Sequence, residues 1–374
     1  MVKSSKLAFG IGCLWAAVAT LTFFAFGQSA VAQTQTPEIP FLKAWQSSPH
    51  AKQDAEAFVH WDHTDDKMVP EACAKCHSTP GFQDYIGADG STEWKVDKKA
   101  PVGTTVECVA CHNSVTRFLT QVTFPSGVTV DGIGAEARCM TCHQGRASTV
   151  SIHKSTEGIE DDQISADLAF INVHYRAAAA TRYGTVAKGG YEYGGKAYEG
   201  LYAHDDGAET CIDCHSPHTT KIDPDNCTFC HREVRTEEDF KLVRESKGDY
   251  DGDGDTREGI ATEIEALHGV LYQAIQSYAK DVAGAPIAYD AHNYPYFLSD
   301  TNGNGQIDED EAKRDNGYKA WTPRLLKAAY NYQFVAKDPG AYTHNPRYIL
   351  QLLYDSLESL GSKTTVAMDG MSRP

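Results

Sequence analysis

The stretch Cys211-Ile-Asp-Cys214-His215-Ser-Pro-His218, followed closely by Cys227-Thr-Phe-Cys230-His231, decides how this chain is read. Each half carries two cysteines three positions apart, with a histidine directly after the second. Three more copies lie upstream: Cys73-Ala-Lys-Cys76-His77, Cys108-Val-Ala-Cys111-His112 and Cys139-Met-Thr-Cys142-His143. This is the pattern at which haem is attached covalently. Both cysteines form thioether bonds, and the adjacent histidine reaches the iron. Ten of the eleven cysteines fall in these copies, and the eleventh, Cys13, lies in an apolar leader. No cysteine is left for a disulfide. Paired zinc sites would not require a histidine after every second cysteine. The repetition therefore favours five covalent haems, with His77, His112, His143, His215 and His231 as proximal ligands.

The leader reads as an export signal. Lys3 and Lys6 precede an apolar stretch from Leu7 to Gly27, and Ala30-Val31-Ala32 has the small-x-small form of a cleavage site. Residues 1–32 are expected to be a signal peptide, which puts the protein in the periplasm or outside the cell. Uncleaved, the stretch is long enough to span a bilayer. No later run is, so no membrane span is expected after cleavage. Loss of Lys3 and Lys6, with no acid, takes the formal net charge from −17 to −19. Such a charge counts against nucleic acid and anionic lipid as partners, and is compatible with a basic redox partner protein.

The chain divides near residue 235. Residues 33–234 hold every haem motif, and residues 235–374 are acidic, lack cysteine and show helical periodicity. Successive first cysteines are 35, 31, 72 and 16 residues apart, so the last two motifs should be neighbours. Haem supplies apolar surface that side chains would otherwise provide. The expected fold is thus mainly α with much irregular structure: a haem-packed region followed by a helical C-terminal region. His174 to Thr181 reads as a short helix. Ile264, Leu267, Leu271, Ile275 and Tyr278 mark one helical face. A second helix starts with Thr322 as cap and Pro323 at its first position, and ends before Pro339-Gly340. A third starts at Asn345-Pro346, with Ile349, Leu353, Leu357 and Leu360 as its stripe. Residues from Gly361 read as frayed.

A haem with two protein ligands passes electrons, whereas one with an open face can bind and reduce a substrate. Ten further histidines are available for five sixth positions. The favoured distal candidates are His50, His60, His174, His204, His218 and His344. His218 lies three residues past a proximal ligand, His50 and His60 shortly precede the first motif, and His174 lies among small alanines. His63, His153, His268 and His292 read as ordinary histidines, His268 because it sits on an apolar helical stripe. Met68 is the realistic methionine alternative.

At this point the residues resemble the bacterial multihaem c-type cytochromes. The resemblance rests on the five motifs and on Cys214-His215-Ser216-Pro217-His218, and covers roughly residues 45–232. In such proteins a histidine placed like His218 often ligates a neighbouring haem. The resemblance implies bis-histidine, low-potential electron carriers. Some relatives are reductases of nitrite, hydroxylamine or sulfur oxyanions. The nitrite reductases often use a motif ending in lysine at the catalytic haem, and none occurs here. Three readings stand: an electron carrier, an oxidoreductase with one open haem, and a subunit of an oligomer or extracellular haem filament.

Residues Asp300 to Glu311 fit a twelve-residue calcium loop. Asp300, Asn302 and Asn304 stand at positions 1, 3 and 5, and Gly305 makes the sharp turn. Gln306 offers its carbonyl, Asp308 acts at position 9 and Glu311 closes the site. A second run, Asp249, Asp251, Asp253, Gly254 and Asp255, begins alike but has Ile260 at position 12. Glu258 or Glu263 is the expected substitute. Calcium at either loop would brace the helical region.

Overall fold

The computed structural model describes residues 38–204 and 207–374. The segment read as an export signal lies outside these residues. About 39% of the described residues are helical, and strand among them is confined to three two-stranded ribbons, which makes the protein mainly α. Residues 41–374 form one compact unit.

The first 200 residues of that unit are built from single turns and short helices. Four motifs sit on helices, Glu71–His77, Cys108–Cys111, Ala137–Cys142 and Cys211–Cys214. The fifth sits on a turn whose His231 N–H bonds the carbonyl of Cys227 at 2.9 Å. Equivalent bonds run from His112 to Cys108, His143 to Cys139 and His215 to Cys211 at 2.8, 3.0 and 2.8 Å. Positions i, i+3 and i+4 of a helical turn share a face. The spacing therefore aims both thiols and the imidazole of each motif to one side.

The long helices lie later. Ile260–Asp281 buries Ile264, Leu267, Leu271, Ile275 and Tyr278, the face read from periodicity. Pro323–Ala336 is capped by Thr322, whose hydroxyl accepts from the N–H of Leu325 at 3.2 Å. Pro346–Gly361 is capped by Asn345, which accepts from Tyr348 N at 3.0 Å. These three helices pack on one another, and the apolar core they share extends across residue 235 to Phe124, Ile152, Ala180 and Tyr183.

Two expectations are corrected. The helix expected at His174 begins only at Ala178 and continues to Ala187. His174 and Arg176 hold φ of 77° and 54°, left-handed backbone that cannot continue a right-handed helix. The end of the chain is tied down rather than frayed. Arg373 forms a two-pronged ion pair with the buried carboxylate of Asp355 at 2.8 and 2.9 Å, and Gln351 donates to the Pro374 carbonyl at 3.1 Å. Met368 and Met371 pack on the core. A two-pronged bond to a buried carboxylate is among the stronger polar contacts, and it overrides the local sequence signal.

Leu353 is fully buried between these helices. Leu353→Ala should cost about 2–5 kcal/mol, the usual range for such a truncation, read as a lowered unfolding midpoint of the haem-loaded protein.

Candidate functional site: five histidine pairs

Each proximal histidine faces a second histidine from elsewhere in the chain. His77 meets His174 with ring centroids 5.7 Å apart and Nε2 atoms 3.4 Å apart. His143 meets His50 at 6.3 Å, His112 meets His218 at 6.1 Å, His231 meets His204 at 6.0 Å, and His215 meets His344 at 6.4 Å. A metal-bound imidazole nitrogen lies about 2 Å from its metal, so two imidazoles on opposite faces of one ion have centroids roughly 6 Å apart. Four spacings match that requirement, the His77–His174 pair stands a few tenths of an ångström closer, and two free thiols stand beside each pair on the same turn. The residues therefore fit covalent haem with two axial histidines.

The ring orientations agree. The Nδ1 atoms of His77, His143 and His215 lie 2.7, 3.1 and 3.1 Å from the carbonyls of Ala57, Arg176 and Thr220. A carbonyl only accepts, so each Nδ1 carries the proton and each Nε2 lone pair is free for a metal. His344 Nδ1 instead lies 3.0 and 2.9 Å from the two oxygens of Asp338. Burial pushes His50 down to about 4, helped by His143 and Arg176, and pushes His174 to about 4, helped by His77. Both are thus neutral at ordinary pH, the form that ligates metal.

Of the six favoured distal candidates, five stand opposite a proximal histidine. His60 does not. Its exposed side chain lies 2.7 Å from Glu56, one helical turn away, and its ring meets Trp61 edge-on. His268 stacks on Tyr332 at 4.0 Å, with Nε2 2.8 Å from that residue's carbonyl, as its apolar stripe suggested. His153 packs near Tyr191, and His63 and His292 are exposed. Met68 lies in a short strand paired with Pro101. Sequence reading missed the aromatic partners. Phe41 stacks in parallel on His218 at 4.5 Å, and Trp61 lies edge-on to His77 at 5.3 Å.

The helix of the third motif touches three others. Cys142 Sγ is 3.8 Å from the carbonyl of Lys75, inside the first motif. The Arg138 guanidinium donates to the Cys111 carbonyl of the second motif at 3.3 Å. Glu136, just before the helix, accepts from Cys211 N of the fourth at 3.1 Å. Arg182 holds that buried glutamate at 2.9 Å.

The two acidic loops share one hydrogen-bond plan. Asp300 accepts from Gly303 N and Gly305 N at 2.7 and 2.8 Å, and Asp249 accepts from Gly252 N and Gly254 N at 2.6 and 2.8 Å. Asn302 Oδ1 and Asp251 Oδ1 accept from the N–H two residues on, at 3.0 and 3.2 Å, and Asn304 and Asp253 repeat this toward Gln306 and Asp255. Glu311 accepts from Thr301 N and Asn302 N at 2.6 and 3.3 Å, and Asp308 accepts from the amides of Asn302 and Asn304. In the other loop Glu263 takes the part of Glu311. It accepts from Tyr250 N and Asp251 N at 2.7 and 2.9 Å, and comes from the first turn of Ile260–Asp281. Carboxylate oxygens of Asp251, Glu258 and Glu263 lie within 4.8 Å of one another, as do those of Asp249, Asp251 and Asp253. Asp255 turns its carboxylate toward Arg257 instead. Burial, then neighbouring carboxylates, raises the Asp251 and Glu258 carboxyls.

With this geometry in view, the chain is similar to multihaem c-type cytochromes. Residues 56–157 match the family model for cytochrome c7 and related cytochrome c. The C-type polyheme cytochrome OmcB of Geobacter sulfurreducens, strains DL-1 / KN400 and PCA, is 26% identical over 390 residues, covering 87% of this chain and 50% of the relative. The C-type polyheme cytochrome OmcC of the same organism is 26% identical over 375 residues, covering 83% of this chain and 46% of the relative. The chain thus spans about half the length of the curated relatives it matches. No solved structure matches. These likenesses support a multihaem c-type cytochrome with covalently bound haem c. No helix among the described residues is long and apolar enough to cross a membrane.

With a haem bound between His77 and His174, His174→Ala should turn that haem into a high-spin form that binds added cyanide, seen in the absorption and paramagnetic resonance spectra. His60→Ala should leave both spectra unchanged.

Proposed function

We propose that the chain is an extracytoplasmic electron carrier with five c-type haems, each held by one proximal and one distal histidine. The pairs are His77 with His174, His112 with His218, His143 with His50, His215 with His344 and His231 with His204. The observation that carries this reading is the set of five facing imidazole pairs at 5.7–6.4 Å. Bound haem supplies reversible one-electron chemistry at the iron. The residues supply two axial nitrogens and two thiols per group, and fix the imidazoles through Nδ1. An oxidoreductase with an open haem would need a proximal histidine without a facing partner, and each of the five has one. Under the same pairing no axial position is left open for a histidine from another subunit. The apolar leader supports export to the periplasm or cell exterior, and the negative charge supports a basic redox partner.

We also assign calcium to the 300–311 loop, through Asp300, Asn302, Asn304, Gln306, Asp308 and Glu311, and to the 249–263 loop. In the latter Asp249, Asp251 and Asp253 are closed by Glu263 in place of Ile260. Both would brace the helical region rather than take part in redox chemistry.

The carrier assignment is tested by reducing the haem-loaded protein under argon and adding nitrite or hydroxylamine. The carrier should stay reduced, or reoxidise only slowly and without saturation. Sustained, saturable turnover of either compound would overturn it. Calcium at 100 times its dissociation constant should stabilise the protein by about 2.7 kcal/mol per site. A chelator should therefore lower the melting temperature, and Glu311→Gln should abolish the part of that response due to the 300–311 loop.

A further inference from the structure

Asp338 follows the helix Pro323–Ala336 and is 3% exposed. Burying a carboxylate is costly unless it is paired and hydrogen-bonded. Among the described residues its ion-pair partner is His344, whose Nδ1 lies 2.9 Å from Oδ2 and 3.0 Å from Oδ1. Gly340 N donates to Oδ1 at 3.2 Å. The neighbouring Lys337 does not compensate it. Its ammonium sits over the rings of Tyr175 and Tyr296, at 3.8 and 4.4 Å from their centroids. The Lys337 carbonyl accepts from Arg176 N at 2.7 Å, and the Arg176 carbonyl in turn accepts from His143 Nδ1. Asp338 thus holds His344 directly through a carboxylate, whereas Lys337 reaches the motif histidine His143 only through the neutral carbonyl of Arg176.

We infer that Asp338 is a positioning residue that holds His344 by a charged hydrogen bond and so makes the haem of the fourth motif lower in potential than a carbonyl-bonded imidazole would. The inference rests on the proposed pairing of His215 with His344 at one iron. A carboxylate draws the Nδ1 proton toward itself, which makes Nε2 a stronger donor. A stronger axial donor and a nearby negative charge both favour ferric over ferrous iron. His77, His143 and His215 give Nδ1 to uncharged carbonyls, and the carboxylates of Glu233 and Glu245 stay 3.7 and 4.0 Å from His231 Nδ1, beyond hydrogen-bond reach.

The test is a spectroelectrochemical titration of the haem-loaded protein, with paramagnetic resonance spectra at the same potentials. Asp338→Asn keeps an acceptor at Nδ1 and removes the charge. It should move one of the five transitions upward, leave the other four, and keep every iron low-spin, and Asp338→Glu should restore the parent value. A titration of Asp338→Asn that superposes on the parent overturns the inference. Should that variant fail to fold, an unmoved transition in Asp338→Ser, which also removes the charge, overturns it. His344→Ala separates the underlying pairing from the inference. If it leaves the fourth-motif iron low-spin, the pairing itself is wrong, whereas a high-spin iron with no shift in Asp338→Asn means only that the carboxylate does not tune it.

Discussion

Five imidazole pairs, each spaced for one iron, set the terms for the rest of this structure. A single helical turn can present two thiols and one imidazole, but it cannot present the second imidazole. That group must come from elsewhere at a fixed distance. The chain therefore folds less by regular elements than by bringing remote histidines to short turns. His174 comes from a segment held in left-handed backbone, His218 from the loop after the fourth motif, and His344 from the turn before the last long helix.

This explains why the helical C-terminal region and the motif region share one core. His344, which faces His215, stands at the junction of two C-terminal helices, so those helices must be docked for the two imidazoles to meet. The packing of Ala179, Ala180 and Tyr183 with Leu325, Phe334 and Leu352 supplies that docking. The acidic loops then flank the helix Ile260–Asp281, one at its start and one touching its middle through Gln276, which donates to the Gly305 carbonyl at 2.7 Å. A cation at either would stiffen the scaffold that carries His344.

Much of this was legible in the sequence, for physical reasons. Attachment and proximal residues are local, so the motif itself names them. The caps at Thr322 and Asn345 and the stripes beneath them are local too. The distal partners are not local, and sequence narrowed them only to six. His50 and His60 both precede the first motif at short range, yet the first reaches His143 and the second stays beside Glu56 on the surface. Nothing in the spacing separates them, because the choice depends on how the third motif docks. Asp338 left no signal at all, since an aspartate before Pro-Gly reads as an ordinary turn. Glu263 was legible only as an alternative, because its three-residue offset is absorbed by the first turn of a helix.

The account turns on both axial positions of every haem being filled by histidine. The most direct measurement is the low-temperature paramagnetic resonance spectrum of the fully oxidised protein, integrated against its haem content. Five low-spin irons per chain and no high-spin signal is the predicted result. A high-spin signal integrating to one iron per chain, and lost on adding cyanide, would contradict it.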